Sequence, residues 1–209
     1  MKLTYSMTGL LVILAACGIH HTEHDVAKSA TRLDLAKDFL RKHELAAAET
    51  ESNRALGYNP SNEEAYLVRG LVNMVRAIDT MRTLEVDACL TGVDAEVTQR
   101  DLDEHLRKAD QDFVEATKVN PEYGEGWADR GIVHTLQEDY PAAAGFFERA
   151  LQYPMQLDSP SLTRAHLGWA FFHQHELVKA AKELRQAVQF HPNMCVGETA
   201  LLGGAPWPP

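Results

Sequence analysis

Three cysteines in 209 residues are too few to staple a fold, and none is spaced as a Cys-x-x-Cys pair. Basic residues are also scarce: 20 Lys and Arg stand against 30 Asp and Glu, a formal charge of −10. That balance excludes the clustered cations needed to grip nucleic acid or an anionic lipid surface. After the first 16 residues no apolar run approaches the roughly 20 residues that span a bilayer. There is no Gly-rich phosphate loop, no Ser/His/Asp set and no paired-carboxylate motif, so an enzyme built around the histidines has no support and the chain reads as a non-enzyme needing no cofactor. What remains is ordinary globular composition, 45% hydrophobic and 24% charged, with enough length for a real core.

Residues 1–16 read as an export signal: Lys2 supplies the positive charge, Gly9-Leu10-Leu11-Val12-Ile13-Leu14 the apolar stretch, and Ala15-Ala16 the small residues before a cut. The next residue is Cys17. Leu14-Ala15-Ala16-Cys17 resembles a bacterial lipobox, which implies cleavage before Cys17 and a diacylglycerol on its thiol; the plainer alternative is an ordinary signal in which Cys17 is incidental. Gly18 follows where an Asp would retain a lipoprotein at the inner membrane, so the expected location is the periplasmic face of the outer membrane, held by lipid. Residues 17–28 are expected to be a tether. His20, His21, Glu23, His24 and Asp25 crowd within it, but ligands on a tether are not held in tetrahedral order, and they are read as surface groups rather than a metal site.

From about residue 29 the chain repeats. Small residues pair twelve apart, Ala36 with Ala48, Gly131 with Ala143 and Gly168 with Ala180, and a further Ala follows seven later at 55, 150 and 187. Gly70, Ala109 and Ala116 make a fourth unit, with 27 extra residues between the first two. Ala36 to Gly70 and Ala109 to Ala143 are both 34 apart, while Gly131 to Gly168 is longer by three residues near Asp158-Ser159-Pro160. Pro60, Pro121 and Pro192 close units. A 34-residue period with Trp127-Ala128-Asp129-Arg130-Gly131 and Ala143-Ala144-Gly145-Phe146-Phe147 resembles the tetratricopeptide repeat. Small residues let two helices approach, and Phe113, Phe147 or Leu184 fills the space beside them. The expected fold is therefore all-α, a tetratricopeptide-repeat superhelix of about four helical hairpins over residues 29–194. Its second hairpin is extended by an insertion near 79–105, and residues 195–209 form an irregular tail. Arg69, Arg130 and Ser52 depart from the usual pattern.

Such a fold binds partners along the inner wall made by the first helix of each unit. Helical phase places Leu67, Leu71, Met74, Ile132, Leu136, Trp169 and Phe172 on that wall, an apolar stripe suited to an amphipathic helix. The alternative is that neighbouring repeats or the insertion bury the stripe as core. The insertion reads as two lengthened helices with Cys89 near their tip. In an oxidising compartment Cys89 and Cys195 would either pair or lie buried as free thiols.

The lipobox, the repeats, and the segments Leu84-Glu85-Val86-Asp87-Ala88-Cys89-Leu90-Thr91-Gly92, Leu167-Gly168-Trp169-Ala170-Phe171-Phe172-His173 and Met194-Cys195-Val196 together resemble the Tgl-type pilotins. These are outer-membrane lipoproteins that assemble the type IV pilus secretin. The resemblance implies lipidation at Cys17, a Cys89–Cys195 disulfide, and secretin protomers as the partner. One departure is that the family continues into further repeats after the second Cys, whereas Gly197 to Pro209 cannot form one, which suggests a truncated or altered end. A general periplasmic scaffold docking other envelope proteins, such as cell-wall hydrolases, is the alternative function.

Overall fold

The computed structural model describes residues 22–90 and 95–190, with the side chains of 85–90 outside that description. The described chain is eight α-helices in order: α1 Glu23–Arg41, α2 Leu45–Tyr58, α3 Glu63–Leu90, α4 Ala95–Val119, α5 Gly124–Leu136, α6 Tyr140–Ala150, α7 Pro160–His173 and α8 Leu177–Phe190. They pair as α1/α2, α3/α4, α5/α6 and α7/α8, and each pair packs on the next through α2 on α3, α4 on α5 and α6 on α7. The first helices α1, α3, α5 and α7 also touch in succession, making the inner wall of a superhelix.

The expected small residues are what bring each pair together. A Cβ on Gly70 would lie 2.4 Å from the Phe113 ring, one on Gly131 2.5 Å from Phe147, and one on Gly168 2.7 Å from Leu184. The second and third small positions (Ala48, Ala55, Ala109, Ala116, Ala143, Ala150, Ala180, Ala187) are all buried. In the first unit the sizes are exchanged: Ala36 replaces the Gly, and a fully buried Ser52 replaces the large residue and satisfies its hydroxyl by donating to the Ala48 carbonyl at 2.8 Å. The departure at Ser52 is a matched change of volume.

Two boundaries differ from the sequence expectation. Helix α1 begins at Glu23, inside the segment read as a tether, because Thr22 and Asp25 form a capping box: the Thr22 hydroxyl accepts from the Asp25 amide at 3.2 Å and the Thr22 amide donates to the Asp25 carboxylate. His24 is thus on a helix. The three extra residues before α7 are taken up by a 3₁₀ turn at Pro154–Gln156, after which the Ser159 side chain caps α7 by accepting from the Leu162 amide. Pro60 and Pro121 stand just beyond the ends of α2 and α4, where a helix cannot continue through them.

Helices α3 and α4 run 28 and 25 residues, roughly twice the length of α5 or α7. Their extra turns carry Leu102 and Leu106 back against Met74 and Ala77. No described helix is long and apolar enough to cross a membrane.

Candidate protein-docking site

The sequence-derived stripe does not form one continuous exposed wall. Met74 is 1% exposed and Leu67 9%, both in the central core cluster with Leu102, Leu106, Phe113 and Val133. Met74 is therefore core and unavailable to a partner, because the lengthened α4 covers it. Leu71, Ile132 and Leu136 are partly buried and packed against the same cluster. Trp169 is half-buried and stacks on Phe172 at 5.8 Å, and Phe172 is 48% exposed. His173 sits edge-on to Trp169 and face to face with Tyr140 at 4.2 Å, so four rings from α6 and α7 make one aromatic surface. Cys17 and Cys195 lie outside the described residues, and Cys89 falls in the last turn of α3, where side chains are not described.

Two features were not read from the sequence. The first is a recurring ion pair. The residue three beyond the second small position is acidic in three units (Glu51, Asp112 and Glu183), each is under a tenth exposed, and each meets an Arg of the first helix. Arg32 reaches Glu51 at 3.2 Å, Arg69 holds Asp112 through both Nε and Nη2 at 2.6–3.1 Å, and Arg164 reaches Glu183 at 2.9 Å. In the third unit the acidic position is Phe146. Arg130 there lies 4.1 Å from the ring centroid and donates to Asp110 of the preceding hairpin at 2.9 Å. The Arg departures at 69 and 130 thus cross-link helices rather than interrupt the packing.

The second is an acidic hollow of about 480 Å³ between α3, α5 and the segment 155–158. Leu67, Leu71 and Leu157 give it apolar walls, and Glu63, Glu64, Glu125, Asp129 and Asp158 line it. Most of these carboxylates have partners. Glu64 takes an ion pair from Lys37, Glu63 accepts from the Asn120 amide at 3.1 Å, and Glu125 accepts the Asp158 backbone N–H. Asp129 has none among the described residues although it is only 5% exposed. Burial, with Glu125 and Asp158 nearby, holds its carboxyl well above the ordinary carboxylate range. Burial likewise raises Glu125. A cue for Asp129 did exist in the sequence: two residues before the first small position, the second unit carries the buried Val68, so a charge there points inward. The fourth unit has His166 at that position, stacked on Phe147 at 5.6 Å and pushed by burial down to about 4.

No group of three or more His, Cys, Asp or Glu among the described residues is placed to hold a metal ion. With apolar and aromatic surface on the first helices and an acidic hollow between two of them, the arrangement is suited to contact with another chain.

Comparison with known proteins agrees with this geometry. Residues 98–158 match the family profile of the tetratricopeptide repeat. The sequence has no significant match among curated proteins. Among solved structures, the tetratricopeptide-repeat domain of Arabidopsis OM64 is similar with a TM-score of 0.50 at 15% identity, covering 74% of this chain and 98% of that one. PilW, described as a widely conserved type IV pilus biogenesis factor, is similar with a TM-score of 0.60 at 20% identity, covering 84% and 70%. At such identities the likeness is one of fold. The described helices stack as a tetratricopeptide-type superhelix.

Proposed function

We propose that the protein is a pilotin-like lipoprotein that binds secretin protomers and promotes their localisation and assembly in the outer membrane for type IV pili. The observation that carries the reading is a conjunction in one chain. A lipobox-like Leu14-Ala15-Ala16-Cys17 precedes a repeat domain whose first helices carry the partly buried Leu71, Ile132 and Leu136 and the stacked Trp169 and Phe172. The fold it shares with PilW, a type IV pilus biogenesis factor, supports this reading. An acylated Cys17 would tether the scaffold at the periplasmic face of the outer membrane, since two or more acyl chains give stable anchoring. A partly buried apolar and aromatic face can shield an apolar helical segment of a protomer in transit and release it when protomers pair with one another. The Cys89–Cys195 disulfide belongs to the same reading.

Membrane fractionation and co-purification test it together. Cys17→Ser should leave an uncleaved or soluble periplasmic chain and abolish recovery of secretin multimers with detergent-solubilised outer membrane. A Cys17→Ser chain that still floats with outer membranes would remove the anchor, and wild-type protein that recovers no secretin would remove the partner.

A further inference from the structure

The acidic hollow between α3 and α5 combines features that a solvated acidic face does not. Asp129 is 5% exposed, lines the cavity, and has no hydrogen-bond or ion-pair partner among the described residues. The buried side-chain atoms without a partner among the described residues are all on histidines, so the Asp129 carboxyl is open to whatever enters the hollow. No Lys or Arg is among the residues that line the hollow, and Lys37 pairs with one of them, Glu64. Leu67, Leu71 and Leu157 provide apolar walls that can pack an aliphatic stem, and Met155, 92% exposed, stands at the mouth. Glu125 and Asp158 lie on the same side as Asp129, close enough to act on its ionisation.

We propose that this hollow is a specificity pocket for a cationic side chain, lysine or arginine, projecting from the docked partner segment. A divalent cation fits less well, because no three acidic or His side chains converge among the described residues. An organic cation on an aliphatic stem uses both kinds of wall: the methylenes lie on Leu67 and Leu71, and the charged head meets Asp129 and Glu125. The cavity volume falls in the roughly 300–1,000 Å³ range of small-ligand sites, ample for one long side chain with its adjoining backbone. The inference rests on the inner face being where a partner docks. It adds that the partner's segment carries a basic residue beside its apolar ones.

The test uses the full chain in detergent solution, followed by amide chemical shifts, with N-acetyl-lysine-N-methylamide, its arginine counterpart and its norleucine counterpart as probes. The lysine or arginine compound should give saturable shifts centred on Gly126, Asp129 and Leu71, with the norleucine compound at least tenfold weaker. Asp129→Asn and Glu125→Gln should each weaken the cationic probe about tenfold or more while leaving helicity unchanged. Should Asp129→Asn fail to fold, Glu125→Gln decides alone. Equal binding of norleucine, unchanged binding by the folded variants, or no localised shift would overturn the proposal. Binding of spermidine without either amino-acid probe would assign the hollow to a free polyamine, and displacement by stoichiometric calcium would assign it to a metal; both overturn it. None of these results depends on secretin, so the pocket and the pilotin reading fail separately.

Discussion

Asp129 and Gly131 are two residues apart on α5 and show opposite uses of close packing. At Gly131 the absence of a Cβ is what lets the fully buried Phe147 ring approach. Gly131→Ala should cost about 1–3 kcal/mol, the usual range for overpacking. Phe147→Ser alone should cost more, about 3–5 kcal/mol, through cavity formation. The double variant should lose less than the sum, because the first unit folds with Ala36 and Ser52 in the equivalent places. Additive losses in thermal or urea unfolding would show that the two sites are not coupled by volume. Asp129 has a folded pKa raised above its ordinary 3.8, so the folded chain holds that proton more tightly than the unfolded chain. The resulting stability is present below that value and is lost as pH rises through the folded pKa. Asp129→Asn should therefore gain stability relative to the wild type as the pH rises from about 4 to 7.5. His166, held neutral by burial, works in the other direction: stability falls as pH drops from its ordinary 6.5 toward about 4. That contribution is common to both chains, so the difference between their pH profiles isolates Asp129.

At the scale of the helix, three units stop their first helix in the same way without glycine. His43, Glu138 and His175 each have φ near +60°, one residue before the second helix's leading acidic residue (Glu44, Asp139, Glu176). In each case the following amide returns to a carbonyl five residues back: Glu44 to Phe39, Asp139 to His134, Glu176 to Phe171, all at 2.9 Å. This is the hydrogen bonding of a Schellman stop, which glycine favours. Glu138→Gly should stabilise the protein by up to about 1 kcal/mol, since relief of left-handed strain exceeds the added chain entropy; a fall in melting temperature would mean the Glu138 side chain contributes more than its backbone costs. Because no Gly marks these stops, they were not legible in the sequence, whereas the helix pairs were: the Gly/Ala spacing and the fillers Phe113, Phe147 and Leu184 are direct images of the packing. The placement of Trp169 and Phe172 on one face of α7, where they stack, followed from the same register. Met74 did not. It obeys the same helical phase, and only the return of α4 over it, a contact between residues some 30 apart, decides that it is core. Asp129 was missed for the converse reason, a polar residue on a phase that faces inward.

For the molecule as a whole, a repeat array is stabilised by nearest-neighbour interfaces, so its energetics depend on which faces have a neighbour. The lengthened α3/α4 pair has neighbours on both sides and carries the largest core cluster, whereas the last described helix, α8, exposes Leu177 at 59%, Val178 at 87% and Phe190 at 68%. Hydrogen exchange should therefore be slowest in α3, α4 and α5 and fastest in α8. Point changes should grade accordingly. Met74→Ala, in the middle of the core, should cost about 2–5 kcal/mol. Since about 1 kcal/mol shifts a domain of this size by roughly 2–4 °C, that loss is readily seen in melting temperature. Val178→Glu and Phe190→Glu should each change stability by less than about 0.5 kcal/mol, as exposed substitutions do. The pair of measurements separates two architectures. If Phe190→Glu costs as much as a core change in the full chain, the outward face of α8 is covered by residues beyond 190 and the array continues there. If it costs little while Met74→Ala costs several kcal/mol, stability resides in the central hairpin, and α8 can open without unfolding the centre.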